Sequence, residues 1–431
     1  MTTMTTSPPS SLAENGSPTK ASFVRAVTAA SIGNALEWFD WGSYAAFAAI
    51  FSRQIFAGDD GNTALLSAFA VFGVGFLARP LGGLLIGRYA DRRGRRPALT
   101  VSIVLMALGS LLIGLTPTYE LAGVWAAVML TAARLIQGLA VGGDYGAAPI
   151  LLSEIAPPNR RGLVSSLHYV SLTLGLLAAS VLGWVLSSSL TAEQLGSWGW
   201  RLPFLVGALA ALWGFYLRRS VEESAVFVSA RHQSAERRAS AAPAVLRVIG
   251  MTGLASIMFW TLTSYLPSQA HNMGIPHGQV FGASTFALLI FLMLQPVVGW
   301  LSDRVGRKPL LIGYSVGFVV LSYPLVAGIR LTSGLTLFLV MLLGLAVFSG
   351  YSAISAAFLA EQFPTRSRST GAGIAHNVSS ALFGGTAPYL LARLTESGHT
   401  AWFAAYVILA AVISGVLFSR ISEARGKALP Q

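Results

Sequence analysis

The stretch GRYADRRGRRP at residues 87–97 occurs a second time, in closely similar form, as GWLSDRVGRKP at residues 299–309. Both copies follow the pattern G-x-x-x-D-R-x-G-R-R/K-P, with Asp91 and Asp303 in equivalent places 212 positions apart. Each copy lies between two long apolar stretches and is too basic to enter the core of a bilayer. The repeat indicates that one helix–loop–helix arrangement occurs twice in this chain.

A second pattern recurs at nearly the same spacing. Glu-x-x-Pro-x-x-x-Arg occurs at residues 154–161 and again, 207 positions later, at residues 361–368. Two matched pairs at similar offsets predict two parallel repeats, related by an axis along the membrane normal.

The composition predicts a polytopic membrane protein. Of the 431 residues, 54% are hydrophobic and 11% are charged, whereas soluble proteins have about 45–50% and about 25%. The charges cluster between long uncharged stretches, which excludes a soluble enzyme and a disordered chain. The net charge of +12 does not indicate nucleic-acid binding, because the basic residues lie in short clusters between apolar runs. The absence of cysteine excludes disulfides and thiolate metal sites.

A helix needs about 20 apolar residues to cross a bilayer core, and the sequence contains twelve such runs. We number them as predicted helices 1 to 12: 24–52, 64–90, 98–117, 120–154, 162–189, 201–218, 245–272, 278–303, 309–329, 334–362, 370–394 and 402–420. The predicted fold is an all-α membrane protein with twelve transmembrane helices in two pseudo-symmetric six-helix bundles.

A polar segment between predicted helices 6 and 7 divides the chain. The predicted organisation is a disordered cytoplasmic tail (1–22), an N-terminal bundle (23–218), a cytoplasmic linker (219–243), a C-terminal bundle (244–420) and a short cytoplasmic tail (421–431).

The loop pattern at 87–97 and 299–309 resembles the signature of the major facilitator superfamily. Finer motifs resemble the metabolite:proton symporter family within it: GNALEWFD at 33–40, RPLGG at 79–83, RLIQG at 134–138, GGDY at 142–145, WGWRLP at 198–203 and FGGTAP at 383–388. That family normally has Glu where Asp144 stands, so the acid is shorter but keeps its charge.

The resemblance implies a secondary transporter that binds solute and proton near the bilayer midplane. TLTSY at 261–265 and LQP at 294–296 are most similar to family members that transport α-ketoglutarate. Other members carry citrate, shikimate, or proline and betaine, so these solutes stay open. The family resemblance also favours uptake, because predicted helix 5 lacks the Gly-Pro step that is typical of drug/proton antiporters.

Ionisable residues within the apolar runs are the candidates for proton coupling, because such groups are costly in a membrane and usually face a cavity. They are Glu37, Asp40, Arg79, Arg134 and Asp144, all in the N-terminal half, whereas His271 and His376 come close to the midplane in the C-terminal half. Glu37 and Asp40 share a helix face, and paired carboxylates favour a bound proton. The alternative is that arginines keep both acids ionised. We predict proton coupling by Asp40, Glu37, Arg134 and Asp144, where the role of Arg134 follows from its resemblance to the family motif.

Arg79 is the predicted ligand for a solute carboxylate, because a guanidinium grips carboxylate with two hydrogen bonds and stays charged. The alternative is that Arg79 only neutralises nearby acids. Polar and aromatic side chains complete the predicted substrate site: Tyr44, Tyr145, Tyr265 and Gln295. Pro267 is expected to break predicted helix 7 just beyond Tyr265 and to free backbone carbonyls there.

The two repeated patterns predict gates, in which acids pair with arginines across the contact between the halves. The predicted gating residues are Asp91, Arg92, Arg95, Asp303, Arg304, Arg307, Glu154, Arg161, Glu361 and Arg368. The alternative is that their arginines only anchor the loops in the cytoplasm.

The sequence predicts no cofactor, no metal site and no enzymatic activity. It has no G-x-x-x-x-G-K-[ST] motif for ATP, so transport is expected to run on the proton gradient. The expected partners are a small carboxylate, protons and membrane lipid, without nucleic acid, and the expected functional unit is a monomer. Rival hypotheses are a hydrophobic-compound exporter and a sensor that has lost transport.

The distribution of basic residues predicts the topology in a bacterial inner membrane. With the N-terminus in the cytoplasm, 23 of the 29 Lys and Arg lie on the cytoplasmic side and four on the opposite side, with Arg79 and Arg134 inside helices. Both termini and residues 219–243 are therefore expected in the cytoplasm. Reporter fusions at residues 230 and 431 should be active only as cytoplasmic reporters; activity confined to periplasmic reporters would contradict this topology.

Overall fold

The computed structural model describes residues 20–57, 61–93, 95–142, 148–218, 242–328, 331–364, 368–427 and 429–430. These residues are almost entirely helical, and the described ranges contain no β-strand. The predicted linker at 219–243 falls almost wholly outside them, and the next helix begins at Ala242.

Twelve helices cross the bundle within the described ranges, which confirms the predicted fold. The first six are α1 (Lys20–Ile55), α2 (Gly61–Arg93), α3 (Arg95–Gly114), α4 (Val124–Gly142 and Ala148–Ile155), α5 (Arg161–Ser189) and α6 (Leu202–Arg218). The second six are α7 (Ala242–Trp260, Thr261–Tyr265 and Leu266–Asn272), α8 (His277–Val305), α9 (Arg307–Tyr323 and Pro324–Gly328), α10 (Gly334–Ser352 and Ser355–Glu361), α11 (Arg368–Ser379, Ser380–Gly384 and Ala387–Glu396) and α12 (Thr400–Ser419).

Eight helical stretches in the described residues are long and apolar enough to span a membrane by themselves. They lie in α2, α4, α5, α7, α8, α9, α10 and α12, and shorter apolar stretches lie in α3 and α6. Large apolar side chains on their outer faces are exposed, such as Trp125, Val320 and Trp402, as expected for surfaces that face lipid.

Helix α7 does not break where Pro267 was expected to break it. The helix widens into a π-helical turn at Thr261–Tyr265 and then continues as Leu266–Asn272. Proline lacks the N–H that would bond the carbonyl four residues earlier, and π-helical turns often occur at functional sites. Two more π-helical turns follow in the described residues, Pro324–Gly328 in α9 and Ser380–Gly384 in α11, the latter shortly before Pro388. The turns in α7 and α11 border the contact between the halves.

The halves meet mainly through α5 against α8 and α2 against α11. These two contacts are equivalent under the pseudo-symmetry axis, because α8 and α11 are the repeats of α2 and α5. At the α5–α8 contact, Gly162 and Gly299 bring two backbones together: a Cβ on Gly162 would lie 2.5 Å from the Gly299 carbonyl oxygen. Larger side chains there would force the halves apart.

We call the membrane end with the loops at 87–97 and 299–309 the basic end. At the other end, hydrogen bonds and packing join the halves, with no ion pair between them among the described residues, and the Arg53 guanidinium donates to Asn272 Oδ1 at 3.2 Å. Ser268 Oγ donates to the Ala45 carbonyl at 3.1 Å, and Ser180 Oγ donates to the Phe281 carbonyl at 3.2 Å. The helices also pack closely at the basic end, as described below, so the structure is an occluded conformation with neither end open.

Candidate functional site

A small cavity, of about 30 Å³, lies between the halves. Its N-terminal wall is formed by Trp38, Arg79 and Tyr169. Its C-terminal wall comprises Ala255, Ser256, Phe259, Trp260, Tyr351, Ser355, Leu359, His376 and Ser380. None of the described residues that line it is Asp or Glu. Trp38 and Trp260 stack across the two halves, with ring centroids 5.7 Å apart.

Arg79 is the cationic residue of this cavity. Its side chain is buried, with 1% of its surface exposed, and its guanidinium lies 4.2 Å from the Trp41 ring centroid and 4.0 Å from that of Phe76. Cation–π contacts of this kind compensate part of the cost of desolvating the charge. Helix α2 thus places this guanidinium at the contact between the halves, and its part in solute binding stays a prediction.

A separate polar network lies inside the N-terminal half. The Ser110 hydroxyl donates to Asp40 Oδ1, and Gln137 Nε2 donates to Asp40 Oδ2 at 2.5 Å. Arg134 Nη1 donates to Gln137 Oε1 at 2.7 Å. Asp40, Arg134 and Gln137 are all buried. Asp40 is therefore held by neutral donors, and Arg134 reaches it through the Gln137 amide.

Trp41 connects this network to the cavity. The Arg134 guanidinium lies 3.8 Å from the Trp41 ring centroid, and the Arg79 guanidinium lies 4.2 Å from the same centroid. Trp41 is fully buried, so it contacts the cation of the cavity and the cation of the network together. Sequence reasoning missed it, although its place directly after Asp40 was a usable signal.

Three predicted substrate residues do not line the cavity, because their polar groups are bonded elsewhere. The Tyr44 hydroxyl donates to the Ala68 carbonyl at 2.8 Å, within the N-terminal half. Tyr265 bonds to Thr395 at 2.8 Å, and Gln295 accepts a hydrogen bond from Ser352 at 3.0 Å, both within the C-terminal half. Their part in solute binding stays a prediction.

The other predicted N-terminal residues differ in what the structure describes. Glu37 is partly buried on α1, three residues before Asp40, and its proton role stays a prediction. Asp144 and Tyr145 lie outside the described residues.

His376 is the residue of the C-terminal half that sequence reasoning undervalued. It lines the cavity that Arg79 lines, and its Nε2 lies 3.1 Å from the Ser380 Oγ one turn later on α11. The sequence could have pointed to it, because the apolar runs of this half have no Asp, Glu, Lys or Arg at the midplane and a histidine is the remaining ionisable residue type there. His271 lies elsewhere, at a cavity of about 20 Å³ nearer the other end.

Four of the predicted gating residues form two ion pairs between the halves at the basic end. Arg368 Nη1 lies 2.7 Å from Glu154 Oε1, and Arg161 Nη1 lies 3.7 Å from Glu361 Oε1. Each pair joins the acid of one repeat to the arginine of the other, because the pseudo-symmetry axis brings each acid opposite the partner repeat's arginine. Arg161 and Arg368 also bond equivalent carbonyls of their own halves, those of Ser153 and Ala360.

Asp303 also joins the halves, although not by pairing with an arginine across the contact. Its carboxylate accepts hydrogen bonds from the backbone N–H groups of Gly162 at 2.8 Å and Leu163 at 2.9 Å. These groups belong to the first turn of α5, where unpaired amides and the helix dipole favour an anion. Its arginine partner, Arg307, belongs to its own half and lies 3.0 Å away. Arg307 also lies 3.5 Å from Glu361, which links both parts of the gate.

The remaining predicted gating residues have no described contact across the halves. Arg304 is exposed and lies over the Trp300 ring, 3.8 Å from its centroid. Arg92 is exposed. The side chains of Asp91 and Arg95 lie outside the described part of the structure.

Asp303→Asn should weaken closure of the basic end, because an amide keeps an acceptor oxygen but loses the charge that the α5 N-terminus favours. We expect slower turnover with a smaller change in solute affinity, measured as the transport rate at saturation and as equilibrium binding. Glu396→Gln is the matched control, because it removes a carboxylate from the exposed Arg393–Glu396 pair. Equal loss of binding in Asp303→Asn, with unchanged turnover of bound solute, would contradict a gating role.

Two family profiles cover nearly the whole chain. The profile of the Sugar (and other) transporter family matches residues 26–248, and that of the Major Facilitator Superfamily matches residues 248–429. The chain is 35% identical to the alpha-ketoglutarate permease of Escherichia coli K12 over 94% of each chain. It is 34% identical to the proline/betaine transporter of the same strain, over 91% of this chain and 82% of that protein. It is 31% identical to the citrate-proton symporter of Klebsiella pneumoniae, over 91% of this chain and 90% of that protein.

Solved structures agree with the fold. The partially occluded inward-open structure of the xylose transporter XylE from E. coli aligns with a TM-score of 0.74 at 18% identity, covering 95% of this chain and 100% of that one. These relatives are transporters and not enzymes, in agreement with the sequence prediction. The chain therefore belongs to the major facilitator superfamily and is a multi-pass membrane transporter.

Proposed function

We propose that this protein is a proton-coupled symporter that takes up a small carboxylate, such as α-ketoglutarate or a related di- or tricarboxylate, by alternating access. The observation that carries the proposal is that the buried Arg79 side chain lines the central cavity between the halves. A guanidinium at such a place can hold the carboxylate of a solute with two parallel hydrogen bonds. The similarity to an alpha-ketoglutarate permease and to a citrate-proton symporter supports the same solute class.

Arg79 is proposed to hold one carboxylate of the solute. A guanidinium in a dry, apolar site binds carboxylate strongly, because little water competes and two parallel hydrogen bonds form. His376, on the opposite wall, is proposed to donate a hydrogen bond to a second acidic group of the same solute. A solute that bridges the two residues would hold the halves together, which is what an occluded state requires.

The proton is proposed to bind Asp40. Protonation of Asp40 would remove the negative charge that is linked to Arg134 through Gln137. Less negative charge would then balance the guanidinium groups of Arg134 and Arg79, which both contact Trp41. Binding of an anionic solute at Arg79 would therefore become more favourable. Reciprocity of linked equilibria means that a bound anion would favour protonation equally. Solute and proton would therefore bind together, without a cofactor. Glu37 and Asp144 are the alternative proton carriers.

Alternating access is proposed to proceed by opening one end at a time. The central cavity lies between two closed ends, so one end must open to admit a solute. We propose that the basic end faces the cytoplasm of a bacterium, with the protein in the inner membrane and both termini cytoplasmic. We further propose that one monomer, surrounded by lipid, performs the whole cycle.

A zwitterion such as proline or betaine is the second candidate solute, and the aromatic lining favours it. Five aromatic residues line the cavity: Trp38, Tyr169, Phe259, Trp260 and Tyr351. Aromatic faces bind quaternary ammonium groups, while Arg79 could bind the single carboxylate. The similarity to a proline/betaine transporter supports this candidate. Shikimate, with one carboxylate and no cation, is a further possibility within the same site.

Arg79→Lys tests the carboxylate contact in vesicles supplied with labelled α-ketoglutarate, citrate, shikimate or betaine. A lysine keeps the charge but cannot form the two-pronged contact. We expect a loss of about 1.5–3 kcal/mol, roughly ten- to a hundredfold in affinity for the preferred anion. Arg88→Lys, at an exposed site on the same helix, is the control. Unchanged affinity of Arg79→Lys for every anion tested would remove this assignment and favour the zwitterion.

Asp40→Asn should abolish accumulation of solute against its gradient while leaving solute exchange intact. An asparagine can still bond Ser110 and Gln137, but it cannot carry the proton. The two readouts are uptake driven by an imposed proton gradient and counterflow with equal pH on both sides. Glu193→Gln, at an exposed position, serves as the control. Accumulation at the level of the unmodified protein would move the proton to Glu37 or Asp144.

His376→Phe should discriminate between solutes by the number of their acidic groups. Loss of a hydrogen bond to a charged group should lower affinity for α-ketoglutarate and citrate by roughly tenfold or more, with a smaller effect on shikimate and betaine. His399→Phe, at an exposed position before α12, controls for loss of an imidazole. Equal weakening of all four solutes would indicate a purely structural role for His376.

A further inference from the structure

The described residues after α12 cross the basic end of the bundle. We call residues 421–427 and 429–430 the strap. Ile421 and Leu429 pack against the apolar core, so the strap is attached near both of its ends. Between them, its polar groups bond to helix ends in both halves. None of the predicted functions of the sequence involved this segment, which was expected only to be a short tail.

Glu423 attaches the strap to the C-terminal half. Its Oε1 accepts a hydrogen bond from the Arg307 N–H at 3.0 Å, and its Oε2 accepts one from the Lys308 N–H at 3.0 Å. These amides open α9, so the carboxylate caps the helix and meets the positive end of its dipole. Burial alone would raise the pKa of Glu423, but hydrogen bonds from the backbone N–H groups of Arg307, Lys308 and Arg425 lower it below its ordinary value.

The loop before α9 is shaped to receive this carboxylate. Gly306 has a φ of 101°, a left-handed conformation that favours glycine. A Cβ at Gly306 would lie 2.5 Å from Glu423 Oε2. The glycine of the repeated loop pattern therefore leaves the space that Glu423 occupies.

The strap then bonds one gating arginine from each half. Arg161 Nη1 donates to the Lys427 carbonyl at 3.0 Å, and Arg368 Nη2 donates to the Pro430 carbonyl at 2.5 Å. These are the equivalent arginines of the two repeats, and each also lies in an ion pair between the halves. One short segment thus bonds a gating arginine of each half at once. Because the acceptors are backbone carbonyls, these two hydrogen bonds depend on the path of the strap backbone and not on the side chains of Lys427 and Pro430.

From these contacts we propose that the strap occupies a peptide-binding surface on the closed basic gate and restrains its opening. Opening of the basic end must separate Arg161 from Arg368, because they belong to different halves. A strap that is held by α9 and bonded to both arginines cannot follow both halves, so it must release at least one of them first. The strap is therefore an autoinhibitory element, and its release sets how often the basic end opens.

A test can use the natural absence of cysteine from this chain. Ser355→Cys places a single thiol at the central cavity, where the serine is buried. A membrane-impermeant maleimide, added from the basic end without solute, will react only when that end opens. We expect removal of residues 423–431 to raise the labelling rate about tenfold, and Glu423→Gln to raise it several-fold. Because no solute is used, the result does not depend on the proposed transport function.

Two controls separate release of the strap from general loosening. Lys427→Ala keeps the carbonyl that Arg161 bonds and alters an exposed side chain, so its labelling rate should equal that of the parent. Ser284→Cys, at the cavity nearer the other end, should label no faster from that end after truncation. A synthetic peptide of residues 421–431, added to the truncated protein, should slow labelling again.

The proposal is overturned if truncation and Glu423→Gln both label Ser355→Cys at the parent rate. It is also overturned if labelling rises equally at both ends, because that outcome indicates lost stability of the whole bundle. If the truncated protein does not fold, the Glu423→Gln variant alone tests the proposal, through the labelling rate from the basic end and the labelling rate from the other end.

Discussion

The central constraint on this structure is that two arginines are buried in the membrane interior of one half. A cation there is stable only with compensating contacts. Both arginines contact Trp41, but their other contacts differ. Arg134 reaches Asp40 through Gln137, whereas Arg79 is covered by the Trp41 and Phe76 rings and opens onto the central cavity. Charge is therefore concentrated in the N-terminal half. The C-terminal half supplies aromatic rings, serines and His376 to the same cavity.

The two ends of the bundle close by different chemistry. At the basic end, ion pairs and a carboxylate on a helix N-terminus join the halves. At the other end, hydrogen bonds without an ion pair join the described residues of the two halves: serine hydroxyls bond backbone carbonyls and Arg53 bonds the Asn272 side chain, while Phe47 packs on Phe281. Breaking a partly buried ion pair leaves charges that water must resolvate, and the loops of the basic end are where water is available. This chemistry suits a gate that opens and closes repeatedly.

Duplication explains the form of the gate, and the strap departs from it. The axis that relates the repeats brings Glu154 to Arg368 and Arg161 to Glu361, so one repeated acid–arginine pattern gives two pairs that cross between the halves. The strap has no repeat of its own, yet it binds the arginine of each half through its backbone. The strap is therefore an asymmetric restraint on a pseudo-symmetric set of contacts. The buried charges are asymmetric in the same sense, because they lie in only one of two similar halves.

The amino-acid sequence by itself determined the architecture: twelve helices, two repeats, the positions of the loops and the identity of the buried charges. These features are readable because they depend on local hydropathy and on repeated motifs, which are properties of the order of residues along the chain. Arg79, Asp40 and the acid–arginine patterns could be named for the same reason.

Only the tertiary structure decided which of these residues meet. Asp40 bonds Ser110 and Gln137, which are 70 and 97 positions away, and Asp303 caps a helix that begins 142 residues earlier in the chain. Tyr44, Tyr265 and Gln295 were reasonable candidates by residue type, but their polar groups are bonded within their own halves. The strap shows the limit most clearly, because its bonds to the gate use backbone carbonyls. Every residue has such a carbonyl, so no sequence pattern could mark these contacts, and only the packing of distant helices brings them together.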